Sequence, residues 1–473
     1  MITDDIVSRI KEVFGHEPTD DQADVIDSLA DFVLNSPKGE IMIISGYAGT
    51  GKTSVIAAFA SVMRSMRVPL SLLAPTGRAA KVLGGYAGGG AMTIHKRIYR
   101  QKSALVESFD LNYNKVKNGL FIVDEASMIS GSSFENNIFG SGDLIEDLVR
   151  FVNSGDNCRL IIVGDDAQLP PVGSPLSPAL DPGTMSAYGT VRYLRMRQVV
   201  RQKRQSGILA AATAVRRIIE EGVPRLPKFS LDYDDVKAIN GSMFLDELES
   251  CYSMYGSDQT VVITRSNKQA NRFNEGIRTK VLMQEEELTS GDMVMVVRNN
   301  YHYGNGECGL DFIANGDMAR VGRVRRYEEL HGLRFVEASL TFPDYDDAGV
   351  YAKVMLDTLS SVTPSLDRDA SQRLFEGLEA DYSEYTRKSE RYKKIKEDDY
   401  YNALQIKFGY AVTCHKAQGG QWSAVFIDRM LWGEEVITIE LLRWLYTAIT
   451  RGVERLYFIG FDDDFFVDPP DYW

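Results

Sequence analysis

The segment IMIISGYAGTGKT, residues 41–53, constrains this chain more than any other. An apolar run meeting G-x-x-x-x-G-K-T reads as a strand, a tight phosphate-binding turn and the start of a helix. Glycines let successive backbone N–H groups converge where the helix N-terminus already carries partial positive charge. Gly46, Gly49 and Gly51 supply the turn, Lys52 would reach the β- and γ-phosphates of ATP, and the Thr53 hydroxyl would ligate Mg²⁺. A chance glycine-rich turn is the alternative, and the flanking strand and helix count against it. Downstream, FIVDE (121–125) is an apolar strand ending in two carboxylates. Asp124 suits the Mg²⁺ shell, and Glu125 suits orienting or deprotonating an attacking water, which hydrolysis needs. Alone, such an acidic pair would read as a helix cap.

A parallel α/β domain follows. Strands read at 41–45, 70–74, 121–123 and 160–163, each apolar throughout as if buried on both faces, with helices at about 52–64, 79–83 and 144–153. Proline and glycine at 170–189 suggest a boundary, and a second α/β pattern opens near Val191, with a strand at 261–264 and a helix at 268–280. From Gly291, the short segments DMVMVV, DMARVGRV and RFVEASLTF read as a small barrel. Residues from about 344 to 404 read as helical, charged and tyrosine-rich, and the α/β pattern resumes at Phe408. The expected organisation is a first domain at 1–185 with a hairpin insert at about 100–118, a second at 186–290 and 405–473, and a barrel with a charged helical insertion at 291–404.

Composition mainly excludes. No apolar run reaches the roughly eighteen residues of a membrane helix, so no membrane partner is expected. The N-terminal stretch lacks the basic start and apolar centre of a signal peptide. Four widely spaced cysteines argue against a disulfide framework or a zinc site and point to a reducing cytoplasm. The net charge of -13 speaks against nucleic acid only globally, since binding depends on local potential. Basic clusters stand at 192–204 and 387–396, although a solvated helix face is the commoner meaning of such runs.

The stretches LLAPTGRAAK (72–81), TIHK (93–96), GDDAQLPPVG (164–173), TCHKAQG (413–419) and YTAITRG (446–452) complete an ordered set. Together with the phosphate loop they resemble the superfamily 1 helicases, most nearly the branch containing RecD and the phage helicase Dda. The resemblance implies two RecA-like P-loop domains, ATP between them and single-stranded DNA across both. It also implies a small hairpin and an SH3-like β-barrel insert with a helical protrusion. It assigns Gln22, in PTDDQADVI, to adenine, Gln168 to the γ-phosphate and Asp165 to the metal and water region. Arg201 and Arg451 match the arginines that reach the γ-phosphate from the second domain, although a slipped register would substitute Arg197. An arginine offered across a cleft stabilises transition-state charge, worth ~10³-fold or more, and ties hydrolysis to domain closure.

The same resemblance places Pro75, Thr76, Thr93 and His95 of the first domain on DNA, with Thr264, Asn267, Thr413, His415 and Lys416 of the second. Hydroxyl and amide groups bond phosphate without reading sequence, as a motor requires. Any of these could instead cap a helix or a turn. Gln418 and Gly419 would couple this track to the nucleotide. Phe109 or Tyr113 would tip a hairpin that separates strands at a junction of single- and double-stranded DNA, unless it is a plain surface hairpin. The helical insertion at 344–404 would brace that wedge or bind a protein partner. The expected whole is a monomeric, ATP-driven DNA helicase stepping 5′-to-3′, its polarity resting on the resemblance alone. A translocase with little unwinding, an RNA helicase and a regulatory ATP-binding module are the alternatives.

Overall fold

A computed structural model describes residues 2–103, 106–131, 139–200, 206–303, 310, 312–429 and 436–467. Among these, one sheet of six parallel strands runs in the order Ala91–Thr93, Leu70–Ala74, Leu120–Val123, Arg159–Gly164, Ile41–Gly46 and Val191–Met196. Alternation along Ile41–Gly46 sends Ile41 and Ile43 into one apolar layer and Met42 and Ile44 into the other. Both faces are therefore buried, which is why these strands read as continuous apolar runs. Val191–Met196, expected to open the second α/β pattern, instead completes this first sheet by pairing with Ile41–Gly46. Its polar residues suit an edge strand, where one side is left to solvent.

A second parallel sheet has the order Ala411–Thr413, Thr260–Thr264, Trp422–Asp428, Gly452–Ile459 and Val236–Ile239. Its core continues across the domain boundary to Tyr47, Ala167 and Leu169 of the first domain. The chain leaves this domain after the helix Asn267–Lys280 to form a closed barrel of Met293–Val296, Met318–Leu330, Leu333–Phe342, Ala348–Met355 and Leu404–Phe408. Two of these strands correct the reading of 344–404 as helical throughout and of Phe408 as the return to α/β. Val350, Ala352 and Val354 alternate into the barrel core, and Leu404–Phe408 closes the barrel by pairing with Met293–Val296. The expected charged helices are Arg368–Asp381 and Lys388–Glu397, packed through Leu374, Leu378 and Ile395 on Leu333 and Phe335.

The barrel also rests on the first domain. Tyr345 donates to the Asp317 carboxylate at 2.9 Å, and a Cβ on Gly77, which opens the helix Gly77–Tyr86, would collide with the Tyr345 hydroxyl. Lys416 of the second domain donates to Asn315 of the same barrel turn.

Candidate active site

Gly51 serves as N-cap where Ile41–Gly46 turns into the helix Lys52–Ser65. Gly49 and Gly51 stand at φ 78° and 82°, a region that favours glycine. A Cβ on Gly49 would lie 2.7 Å from Leu209, and one on Gly51 2.5 Å from Gln22 Nε2. Gly46 lets Lys52 lie close, and the Lys52 ammonium folds back to donate to the carbonyls of Gly46 at 2.6 Å and Tyr47 at 2.9 Å. Gln22 is buried with both ends of its amide engaged. Its Nε2 donates to the Thr50 carbonyl at 2.8 Å, and its Oε1 accepts the Thr19 N–H at 3.0 Å within a capping box. It braces the loop from behind, while each end of the amide keeps one further hydrogen-bonding site.

Asp124 and Glu125 follow the strand Leu120–Val123. Burial, with Glu125 beside it, pushes the Asp124 carboxyl up to about 6. Glu125 itself stands at φ 52°, a conformation that costs of order 1–3 kcal/mol and persists only where the surroundings impose it. Thr53, Asp165 and Gln168 join them along a cleft of 2150 Å³ whose opposite wall includes Arg451 of the second domain. The Arg451 guanidinium is buried and spends its donors on neutral acceptors, the Thr447 and Gly420 carbonyls at 3.1 and 3.2 Å and the Thr450 hydroxyl at 3.2 Å. Arg201 lies outside the described residues. The chain enters the cleft just before it, with the Val200 N–H on the Gly49 carbonyl at 3.1 Å, while the Arg197 N–H is held by Asp21 at 2.6 Å.

Two further bridges cross the boundary. Gln418 Nε2 donates to the Leu169 carbonyl at 2.7 Å, and a Cβ on Gly419 would lie 3.1 Å from Thr76 Oγ1. Gln418 thus links the domains, and Gly419 lets them approach closely. The helix Ile439–Ile449 adds three contacts that the sequence reading left without a role. Arg443 donates to the carbonyls of Asp166 and Gln168, Tyr446 bonds Asp165, and Thr447 accepts the Leu169 N–H at 2.8 Å. Their i, i+3, i+4 spacing was the available signal.

Comparison with known proteins matches residues 19–226 to an AAA domain and residues 408–459 to a UvrD-like helicase C-terminal domain, one on each side of the cleft. The ATP-dependent RecD2 DNA helicase of Deinococcus radiodurans is 24% identical over 459 residues, covering 93% of this chain and 49% of that protein. The ATP-dependent DNA helicase Pif1 of a Psychrobacter species is 23% identical, over 90% of this chain and 66% of that protein. In both domains the chain is thus similar to superfamily 1 helicases of the RecD- and Pif1-like kind. It spans about half the length of the RecD2 relative. Among solved structures, Bacteroides Pif1 in complex with ADP-AlF3 and single-stranded DNA aligns over 94% of this chain and 92% of that one, at 14% identity and a TM-score of 0.46.

The residues expected to touch DNA lie at the C-terminal ends of neighbouring strands. Thr93 is in register with Ala74, just before Pro75 and Thr76, and Thr264 is in register with Thr413. Their hydroxyls are partly committed. Thr76 and Thr93 cap helices, each accepting an N–H at 3.2 Å, and Thr264 is fully buried, its hydroxyl on the Ser266 carbonyl at 3.1 Å. Asn267 begins the helix Asn267–Lys280, and Thr413 precedes the turn that carries His415 and Lys416. His415 keeps an exposed edge, yet burial lowers it from its ordinary value, and burial lowers the Lys416 ammonium to about 8. His95 packs on Tyr99 and Phe139, and burial drives it down to about 4, so it is neutral.

The hairpin pairs Tyr99–Ser103 with Val106–Leu111, and its turn at 104–105 lies outside the described residues. Neither Phe109 nor Tyr113 is at that turn, which corrects the expectation. Phe109 is drawn inward onto Phe139 and onto Tyr301 of the barrel domain, with ring centroids 4.8 and 4.6 Å away, because stacking removes large apolar faces from water. Tyr113 is exposed beside Arg100. The first basic cluster is also partly structural, since Arg192 pairs with Asp31 and Glu40 and Arg195 with Asp166. No helix among the described residues is long and apolar enough to cross a membrane.

Proposed function

We propose that the chain is an ATP-driven DNA helicase that steps 5′-to-3′ on single-stranded DNA and separates the duplex ahead of it. The observation that carries this reading is the division of one nucleotide site between two domains, with the phosphate loop and Glu125 on one wall and Arg451 on the other. Thr53 and Asp124 fit Mg²⁺, because a carboxyl forced up to about 6 beside a second carboxylate is relieved by a divalent cation. When bound, the ion supplies charge neutralisation at the β- and γ-phosphate oxygens.

Lys52 exchanges the carbonyls it now holds for phosphate oxygens, and Glu125 orients the attacking water and takes its proton. Arg451 leaves its neutral acceptors for the γ-phosphate only when the domains close, so turnover and domain movement become one cycle. The strand-end residues would hold the DNA backbone on both domains and pass it along as they approach and part. The hairpin, stiffened by Phe109 against Tyr301, would serve as the wedge. The DNA substrate is drawn from the named relatives and the polarity from the motif resemblance to RecD and Dda alone, since phosphate contacts serve DNA and RNA alike.

The test is strand separation on duplexes bearing either a 5′ or a 3′ single-stranded tail, with ATP and Mg²⁺ and Lys52→Ala as control. Unwinding of the 5′-tailed substrate alone is expected. Unwinding only from the 3′ tail would break the polarity. DNA-stimulated ATPase without unwinding would make the chain a translocase, and preference for an RNA track would make it an RNA helicase.

A further inference from the structure

The helix Ile439–Ile449 places Arg443, Tyr446 and Thr447 on one face, and all three reach the first-domain segment 165–169. Tyr446 differs from its two neighbours because its hydroxyl also touches the phosphate loop. It donates to Asp165 Oδ2 at 2.6 Å and accepts the Ala48 N–H at 2.9 Å. One second-domain oxygen therefore joins two separate first-domain elements, residues 48 and 165, that border the nucleotide cleft. The ring is 1% exposed, and burial raises the phenol far above its ordinary range, so the hydroxyl keeps the proton it donates. Immediately beyond this helix comes Arg451.

We propose that Tyr446 is a positioning residue for ATP hydrolysis, pinning the phosphate-loop tip to Asp165 from the opposite domain. This inference rests on the ATPase reading above. While the helix is docked, a single oxygen sets the spacing between the loop and the carboxylate, and when the domains part both bonds are lost together. The same rigid helix leads into Arg451, so the geometry of the loop and the approach of the arginine change as a unit. Arg443 and Thr447 serve the docking itself, because they bond the backbone of 166–169 and leave the loop alone.

Tyr446→Phe keeps the ring and its packing and removes only the link. The expected result is a fall in kcat of about tenfold to a hundredfold, the scale of a small misplacement of reacting groups, with the KM for ATP changed less than about threefold. Affinity for ADP with fluoroaluminate, which mimics the transition state, should fall by a like factor while affinity for ADP alone holds. Wild-type kcat in the variant overturns the proposal. So does an unfolded variant, or one that loses ADP affinity in the same proportion, because Tyr446 would then be a packing residue. A wild-type protein without DNA-stimulated turnover, or a Lys52→Ala variant that retains it, would instead sink the ATPase reading.

Discussion

Gln22 shows how one side chain can satisfy a family motif and do something local with it. Its amide closes the capping box at Thr19 and holds the Thr50 carbonyl, so the loop Gly49–Gly51 is fastened to the helix Asp20–Asn35. Losing one buried hydrogen bond of this kind costs about 1–3 kcal/mol, here spread between folding and loop order. Gln22→Ala is therefore expected to raise the KM for ATP and for GTP together, by about tenfold. Steady-state turnover with the two nucleotides decides the point: a loss confined to ATP would return Gln22 to adenine recognition. The phosphate loop and the FIVDE strand end could be read directly from the chain because their chemistry is contiguous. Tyr446 could not, since its partners Asp165 and Ala48 lie 281 and 398 residues away. Only the folded domains put them within reach.

At the scale of elements, the hairpin gains rigidity through its base. Phe109, Phe139, Tyr301 and Phe312 form a chain of ring contacts from the first domain to the barrel domain, with successive centroids 4.8, 5.9 and 5.4 Å apart. Each aromatic pair contributes about 0.5–1.5 kcal/mol beyond its buried area. Phe109→Ala should slow unwinding by roughly tenfold, the equivalent of one such pair, while leaving single-strand-stimulated ATPase nearly unchanged. Parallel measurement of the two activities checks this, and an equal loss in both would place Phe109 in general stability. The hairpin was legible from its alternating residues, but the inward turn of Phe109 was not, because its ring partners Phe139 and Tyr301 come from two separate distant segments. Strand assignments failed for a similar reason. Runs such as 41–46 and 120–123 announce themselves by being apolar on both faces. VRYLRM at 191–196 carries no mark of which sheet it joins, since that is decided by its partner Ile41–Gly46. AGVYAKVM at 348–355 alternates only as far as Ala352 and is buried on both faces beyond it, so its alternation is short beside the charged helices that follow.

At the scale of the whole molecule, the barrel links the two α/β domains, and Asp317 sits where it meets the first. Its carboxylate accepts the Ala314 N–H at 2.7 Å and the Tyr345 hydroxyl at 2.9 Å, beside Asp344 and against Gly77. Burial outweighs these bonds and pushes the carboxyl up to about 7, against an ordinary value of 3.8. The folded protein thus keeps a proton that the unfolded chain releases at lower pH. Below about pH 4 both states hold the proton and the native contact has its full worth. Between about pH 4 and 7 the unfolded chain alone ionises, so unfolding becomes easier as pH rises, and above about 7 the contribution is gone. Asp317→Asn cannot ionise, so its unfolding midpoint in urea should change less than that of the native protein between pH 5 and pH 8. An identical slope in both proteins would remove Asp317 from the account. Because Tyr345 rests against the start of the helix that Thr76 caps, the same ionisation would loosen the barrel at the first-domain end of the proposed DNA track. Native affinity for single-stranded DNA should then fall more steeply over pH 5 to 8 than that of Asp317→Asn, which ties the seat of the barrel to the track it borders.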